Sequence, residues 1–156
     1  MKLVTFLKDG QERVGRLQGA QVFPIEGYET MIDLIRAGRP ETLTKTLDPL
    51  PLAFVELLAP IPRPAQDVIC LGLNYQAHAV ESARFKKAVF EQPDAAVYFS
   101  KRVNLAVAPG KPIQGHFDLD VQLDYEAELA VIIGRDARGV SRQDAYDYVF
   151  GYTILN

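Results

Sequence analysis

The chain has 156 residues, 48% hydrophobic and 24% charged, which is ordinary globular composition and enough length for one good core or two small domains. Its net charge of -3 comes with no basic stripe and no interleaving of basic and aromatic residues, so nucleic acid is set aside in favour of small-molecule partners. No apolar run approaches the roughly 20 residues of a membrane span, and a start carrying Lys2, Lys8 and Asp9 has no signal-peptide core, so the expectation is a soluble, cytoplasmic protein with no membrane partner.

The opening residues predict a small β unit. Lys2 to Leu7 alternates, Asp9-Gly10 is a hairpin turn, Glu12 to Leu17 returns, and Ala20 to Pro24 forms a third short strand. A helix follows, capped by Thr30, with Ile32, Leu34 and Ile35 as its apolar stripe and Gly38 at the left-handed position past its end. Six of the ten prolines fall between Pro40 and Pro64, which reads as a stiff extended connector. The expected division is therefore a small amino-terminal domain over residues 1-60 and a second domain over 61-156.

Beyond the connector, Asp67 to Leu73 predicts an apolar strand that carries the single cysteine, Cys70. A lone cysteine excludes an internal disulfide framework and a cysteine-based zinc site, and in this strand it is expected as a buried structural thiol. A short helix is expected around Tyr75 to Ala83, then a polar loop from Arg84 to Asp94 with Lys86 and Lys87, and a strand from Val97 to Ser100. A Pro/Gly-rich segment, Ala108 to Gly115, leads to an acidic strand ending at Gly134. Ser141 then caps a helix with Asp144 in a capping-box position, Gly151 stops it, and Tyr152 to Leu155 begins another strand.

The acidic strand carries the most information. From Gln122 onward, alternation puts Leu123, Tyr125, Ala127, Leu129, Val131 and Ile133 on one side, read as the core side, and Gln122, Asp124, Glu126 and Glu128 on the other. Residues two apart in a strand are about 6.6 Å apart at Cα, and two Glu side chains can converge across that gap on Mg²⁺ at about 2.1 Å. Asp118, Asp120, Asp124, Glu126 and Glu128 lie within eleven residues that hold no Lys or Arg, a cluster that repels itself unless something positive sits in it. Alternation alone is equally that of a half-buried strand with a wet polar face.

His78 and Glu81 lie three apart in the expected helix, so their side chains share a face. A carboxylate beside an imidazole fixes its tautomer and raises its basicity, as a base that activates water requires. The plainer reading is a surface ion pair. The order of residues differs from H-E-x-x-H, so a zinc protease is not supported.

Taken in order, these pieces resemble the fumarylacetoacetate hydrolase family. The resemblance runs from Asp67 to Asn156: G-x-N-Y-x-x-H-x-x-E at Gly72 to Glu81, F-x-K at Phe99 to Lys101, Pro109-Gly110, L-D-Y-E-x-E-L-A-V-I-I-G at Leu123 to Gly134, and D-Y-V-x-G-Y-T-x-x-N at Asp147 to Asn156. It implies a mixed α+β, β-rich chain: a small amino-terminal β/α domain, as bacterial members carry, and then the first part of a β-sandwich or roll. It implies that Glu126 and Glu128 are ligands of a catalytic divalent metal, Mg²⁺, Mn²⁺ or Ca²⁺. His78 and Glu81 would form a water-activating dyad, and Lys101, otherwise a surface lysine, would meet a substrate carboxylate.

The function so implied is a metal-dependent hydrolase or lyase that cleaves carbon-carbon bonds of small 2-oxo acids, acylpyruvates or β-diketo acids, through an enolate stabilised by the metal, in aromatic-compound or sugar-acid breakdown. Related isomerase, hydratase and oxaloacetate decarboxylase chemistries belong to the same resemblance, and a homodimer is implied with them. Two departures stand out. In the family an Asp, the third carboxylate ligand, follows the Asn of the last motif, so the chain is expected to be an amino-terminal part, either completed by a complementary remainder or a structural half without activity alone. Arg102, Val103 and Asn104 stand where small hydroxyl residues are common, which leaves substrate preference outside what the resemblance implies.

Overall fold

The structure, a computed structural model, describes residues 1-38, 43, 46-72, 74-85, 94-119 and 122-156, without the side chains of Gln76, His78, Ser82 and Phe85. The described chain divides into two compact units, one of Met1–Pro62 with Ala106–Asn156 and the other of Arg63–Leu105. It is β-rich with few helices.

In the first unit, β1 (Lys2–Lys8) and β2 (Gln11–Gln18) form an antiparallel hairpin whose register runs from Lys2↔Leu17 to Lys8↔Gln11. Asp9 and Gly10 both take positive φ, 50° and 77°, which matches the twist of the flanking strands across a two-residue turn. β3 (Gln21–Pro24) pairs with β2. Two short strands from the proline-rich connector, β4 (Leu50–Pro51) and β5 (Glu56–Leu57), close a five-stranded sheet in the order β4-β3-β2-β1-β5. The connector is therefore partly absorbed into the sheet rather than merely spanning it. Pro51 is tolerated because β4 is an edge strand, where a missing N–H breaks no interior ladder.

Helix α1 (Met31–Arg36) starts as expected. Thr30 Oγ1 accepts from the Asp33 N–H at 3.2 Å and Asp33 Oδ2 accepts from the Thr30 N–H at 3.1 Å, a reciprocal capping box. Gly38, at φ 83°, donates to the Ile35 carbonyl and ends it. The buried face of α1 is Met31, Leu34 and Ile35, so two residues of the expected stripe are buried and Ile32 packs partly buried beside them; this face packs with Val14 and Ile25. Thr5, fully buried, donates from Oγ1 to the Pro60 carbonyl at 2.7 Å, which ties β1 to the end of the connector.

The second unit contains β6 (Val68–Gly72) and β7 (Val97–Lys101), paired antiparallel from Val68↔Lys101 to Gly72↔Val97, and helix α2 (Gln76–Phe85), which runs two residues beyond the expected stretch. The loop with Lys86 and Lys87 lies outside the described residues. Cys70 is half-buried rather than buried: it sits in a two-stranded sheet, with Sγ 3.9 Å from the Val68 carbonyl.

β8 (Glu128–Ile133) and β9 (Val149–Leu155) pair antiparallel in the first unit. Three expectations are corrected here. The acidic strand begins at Glu128, and residues 122-127 lie outside any ladder. Its more buried face is Glu128, Ala130 and Ile132, while Leu129, Val131 and Ile133 are exposed. The physical reason is that the core is supplied by α1 and the first sheet, against which Ile132 and Phe150 pack, so the fuller aliphatic row points the other way. The third correction concerns Ser141: its hydroxyl and Asp144 do exchange hydrogen bonds, but only a single 3₁₀ turn follows, at Ala145–Tyr148, and Gly151 lies inside β9. With β-prone Val149, Phe150, Tyr152 and Thr153 next in line, pairing with β8 wins over continued helix.

Candidate functional site

Glu126 and Glu128 stand at the entry to β8. Glu128 begins the strand opposite Leu155 and is half-buried, on the face it shares with Ala130 and Ile132. Glu126 is exposed, and its N–H donates to the Asn156 side-chain Oδ1 at 2.9 Å. Asp124, the preceding acid in the sequence, accepts from the Tyr125 N–H at 2.8 Å with its own Oδ1. Asp120 lies outside the described residues.

Carboxylate oxygens are the hard donors that Mg²⁺, Mn²⁺ and Ca²⁺ take, and Mg²⁺ in particular is commonly held by one or two carboxylates, with water and substrate oxygens filling the remaining positions. The pair therefore fits a divalent cation in donor type and number. Among the described residues no group of three His, Cys, Asp or Glu gathers into a fuller site.

The other expected site residues belong to the second unit. His78 and Glu81 are both on α2, three residues apart, and Glu81 is exposed. The side chain of His78, and with it the expected imidazole-carboxylate pair, lies outside the described residues. The helix is entered through Tyr75, held at φ 50°, whose carbonyl accepts from the N–H of Ala79 at 3.2 Å. Ala79 is buried, so α2 is seated by a residue next to His78. Lys101 ends β7 opposite Val68, with its Nζ 6.0 Å from the centroid of the Phe99 ring, two residues back on the same strand face.

Asn156 was not among the expected site residues. It closes the D-Y-V-x-G-Y-T-x-x-N motif, and the pairing shows what it meets: once Glu128 is set opposite Leu155, the next residues in line are Ala127 and Asn156, beside Glu126.

Family models match both parts of the chain. The model described as "Fumarylacetoacetate (FAA) hydrolase C-terminal" matches residues 67–156, and the one described as "Rv2993c-like, N-terminal" matches residues 1–60. The chain is 42% identical over 105 residues to the oxaloacetate tautomerase YisK of Bacillus subtilis, an alignment covering 67% of this chain and 34% of that protein. Among solved structures it is similar to the fumarylacetoacetate hydrolase of psychrophilic Exiguobacterium antarcticum, with a TM-score of 0.70, 32% identity, and coverage of 99% of this chain and 54% of that one. It is also similar to the maleylpyruvate hydrolase of Sphingobium sp. SYK-6, solved with manganese(II) and pyruvate, with a TM-score of 0.58, 27% identity, and coverage of 99% and 57%. The chain thus spans about a third of that curated relative and about half of those solved chains. With more than half of its residues under one family model and the same fold in its structural neighbours, the chain belongs to the fumarylacetoacetate hydrolase family.

Proposed function

We propose that the protein carrying this chain is a divalent-metal-dependent enzyme of small 2-oxo acids, cleaving a carbon-carbon bond of an acylpyruvate or β-diketo acid as a hydrolase or lyase. One observation carries the reading: the acidic pair Glu126 and Glu128, in a segment with no Lys or Arg, stands at the entry to β8 in a family with one solved member bound to manganese and pyruvate. Glu126 and Glu128 would hold the cation. When bound, it supplies Lewis acidity toward the substrate's carboxylate and ketone oxygens.

The remaining roles fall to side chains of this chain. His78, oriented by Glu81, takes a proton from water so that the water can attack the acyl carbonyl. Lys101 offers an ammonium group to a substrate carboxylate, a point charge with three donors. The same proposal places a domain boundary after residue 60, supported by the two separate family models on either side of it, and takes the protein to be a cytoplasmic homodimer.

A second reading, keto-enol tautomerisation of an oxaloacetate-like acid, is favoured by the 42% identity to the Bacillus tautomerase. Offering the full-length protein oxaloacetate and an acylpyruvate separates the two. Pyruvate release from the acylpyruvate supports cleavage, whereas accelerated enol-keto conversion of oxaloacetate alone supports tautomerisation. For the metal pair, Glu126→Gln is expected to lower Mn²⁺ affinity at least about tenfold in a titration followed by electron paramagnetic resonance. Affinity equal to the wild type would remove Glu126 from the site.

A further inference from the structure

The β8–β9 ladder is entered from the acidic segment. The ladder's last pair is Glu128↔Leu155, and residues 122-127 belong to no strand. Two successive backbone donors in this stretch are nevertheless met by side-chain oxygens: the Tyr125 N–H by Asp124 Oδ1 at 2.8 Å, and the Glu126 N–H by Asn156 Oδ1 at 2.9 Å. The second bond spans thirty positions of sequence, so it is tertiary rather than local. It also sets the amide's orientation, because only the oxygen of an Asn side chain can accept.

We propose that Asn156 is a positioning residue for Glu126. Its side-chain oxygen accepts from the Glu126 N–H beside the Glu128↔Leu155 pair and so fixes the backbone of Glu126 two residues before β8 begins. A side chain leaves from its own backbone, so fixing the Glu126 N–H limits where that carboxylate can stand relative to Glu128. This deepens the metal-pair reading and rests on it. Neither Glu126 nor Asn156 is buried, so removing the bond loosens this one segment and leaves the core of α1 and the first sheet untouched.

The test uses the full-length protein with two substitutions at one position. Asn156→Ala removes the accepting oxygen, and Asn156→Asp keeps an oxygen in its place. Hydrogen exchange is read at the Glu126 amide, and Mn²⁺ affinity by paramagnetic resonance titration. Asn156→Ala is expected to speed exchange at that amide about fivefold, the loss of one hydrogen bond, and to weaken Mn²⁺ about tenfold, the usual effect of removing a group that orients a metal ligand. Asn156→Asp is expected to keep both near the wild-type values or to bind Mn²⁺ more tightly. If Asn156→Ala leaves exchange and Mn²⁺ affinity unchanged while Glu126→Gln loses the metal, the positioning role is overturned and the metal pair stands. If Glu126→Gln binds Mn²⁺ as tightly as the wild type, the metal pair falls and takes the role assigned to Asn156 with it.

Discussion

Thr5 shows how much one side chain can hold in this chain. It is fully buried, and its hydroxyl is a donor to the Pro60 carbonyl. Thr5→Val keeps the shape but leaves that carbonyl without its donor, so a loss of about 1–3 kcal/mol is expected in urea unfolding. The residues proposed for the site are of the opposite kind. Glu126, Glu81 and Lys101 are exposed, and a substitution at any of them is expected to alter binding far more than stability. At this scale the residues of the proposed site are readable in the sequence as types and spacings, carboxylates without neighbouring cations and a His three residues from a Glu. Asn156 was legible as the last residue of a motif, but its contact was not. Its oxygen meets Glu126 only because two strands pair in a particular register, and spacing along the chain does not encode it.

At the scale of elements, α1 was readable because every part of its signal is local. Thr30, Asp33 and Gly38 act through hydrogen bonds within a few residues, and Thr30 and Gly38 take the expected places. Thr30→Ala is expected to cost about 1 kcal/mol, measured as a shift in the unfolding midpoint, with Thr30→Ser retaining most of the stability. β8 was readable as a strand but not as to which of its faces is buried. Its alternation is clean on both readings, and the aliphatic row Leu129, Val131, Ile133 offered more apolar surface than Ala130 and Ile132. The packing decides otherwise, since Ile132 is the residue that meets the α1 core. In the chain of these 156 residues, Ile132→Ala is therefore expected to destabilise by about 1–3 kcal/mol, and Val131→Ala by less than about 0.5 kcal/mol. Equal losses would mean that the face assignment is wrong. The 3₁₀ turn at Ala145–Tyr148 teaches the same lesson, because a good capping pair at Ser141 and Asp144 starts a turn without ensuring a helix beyond it.

For the whole molecule, the outstanding property is apolar surface on its two-stranded sheets. In β8–β9 the cross-strand pair Leu129 and Ile154 is 60% and 78% exposed, with Val131, Ile133 and Tyr152 beside it; in β6–β7, Ile69, Tyr98 and Phe99 are exposed as well. A chain of these 156 residues is expected to bind a hydrophobic dye such as anilinonaphthalene sulfonate, with Leu129→Lys and Ile154→Lys together lowering the fluorescence. Among the described residues no helix is long and apolar enough to cross a membrane, so this surface lies on strands rather than on a spanning helix.

Sequence by itself determined the family, the β-rich character, the first hairpin and the capped helix, because turn residues, caps and ordered motifs act over a few positions and survive any packing. Tertiary structure alone decided which face of β8 is covered, where the acidic strand begins, and that Asn156 reaches Glu126. Each of these depends on what lies across the sheet or beneath it. A period of two names two faces of a strand, and only the neighbour that packs against one of them says which is inside.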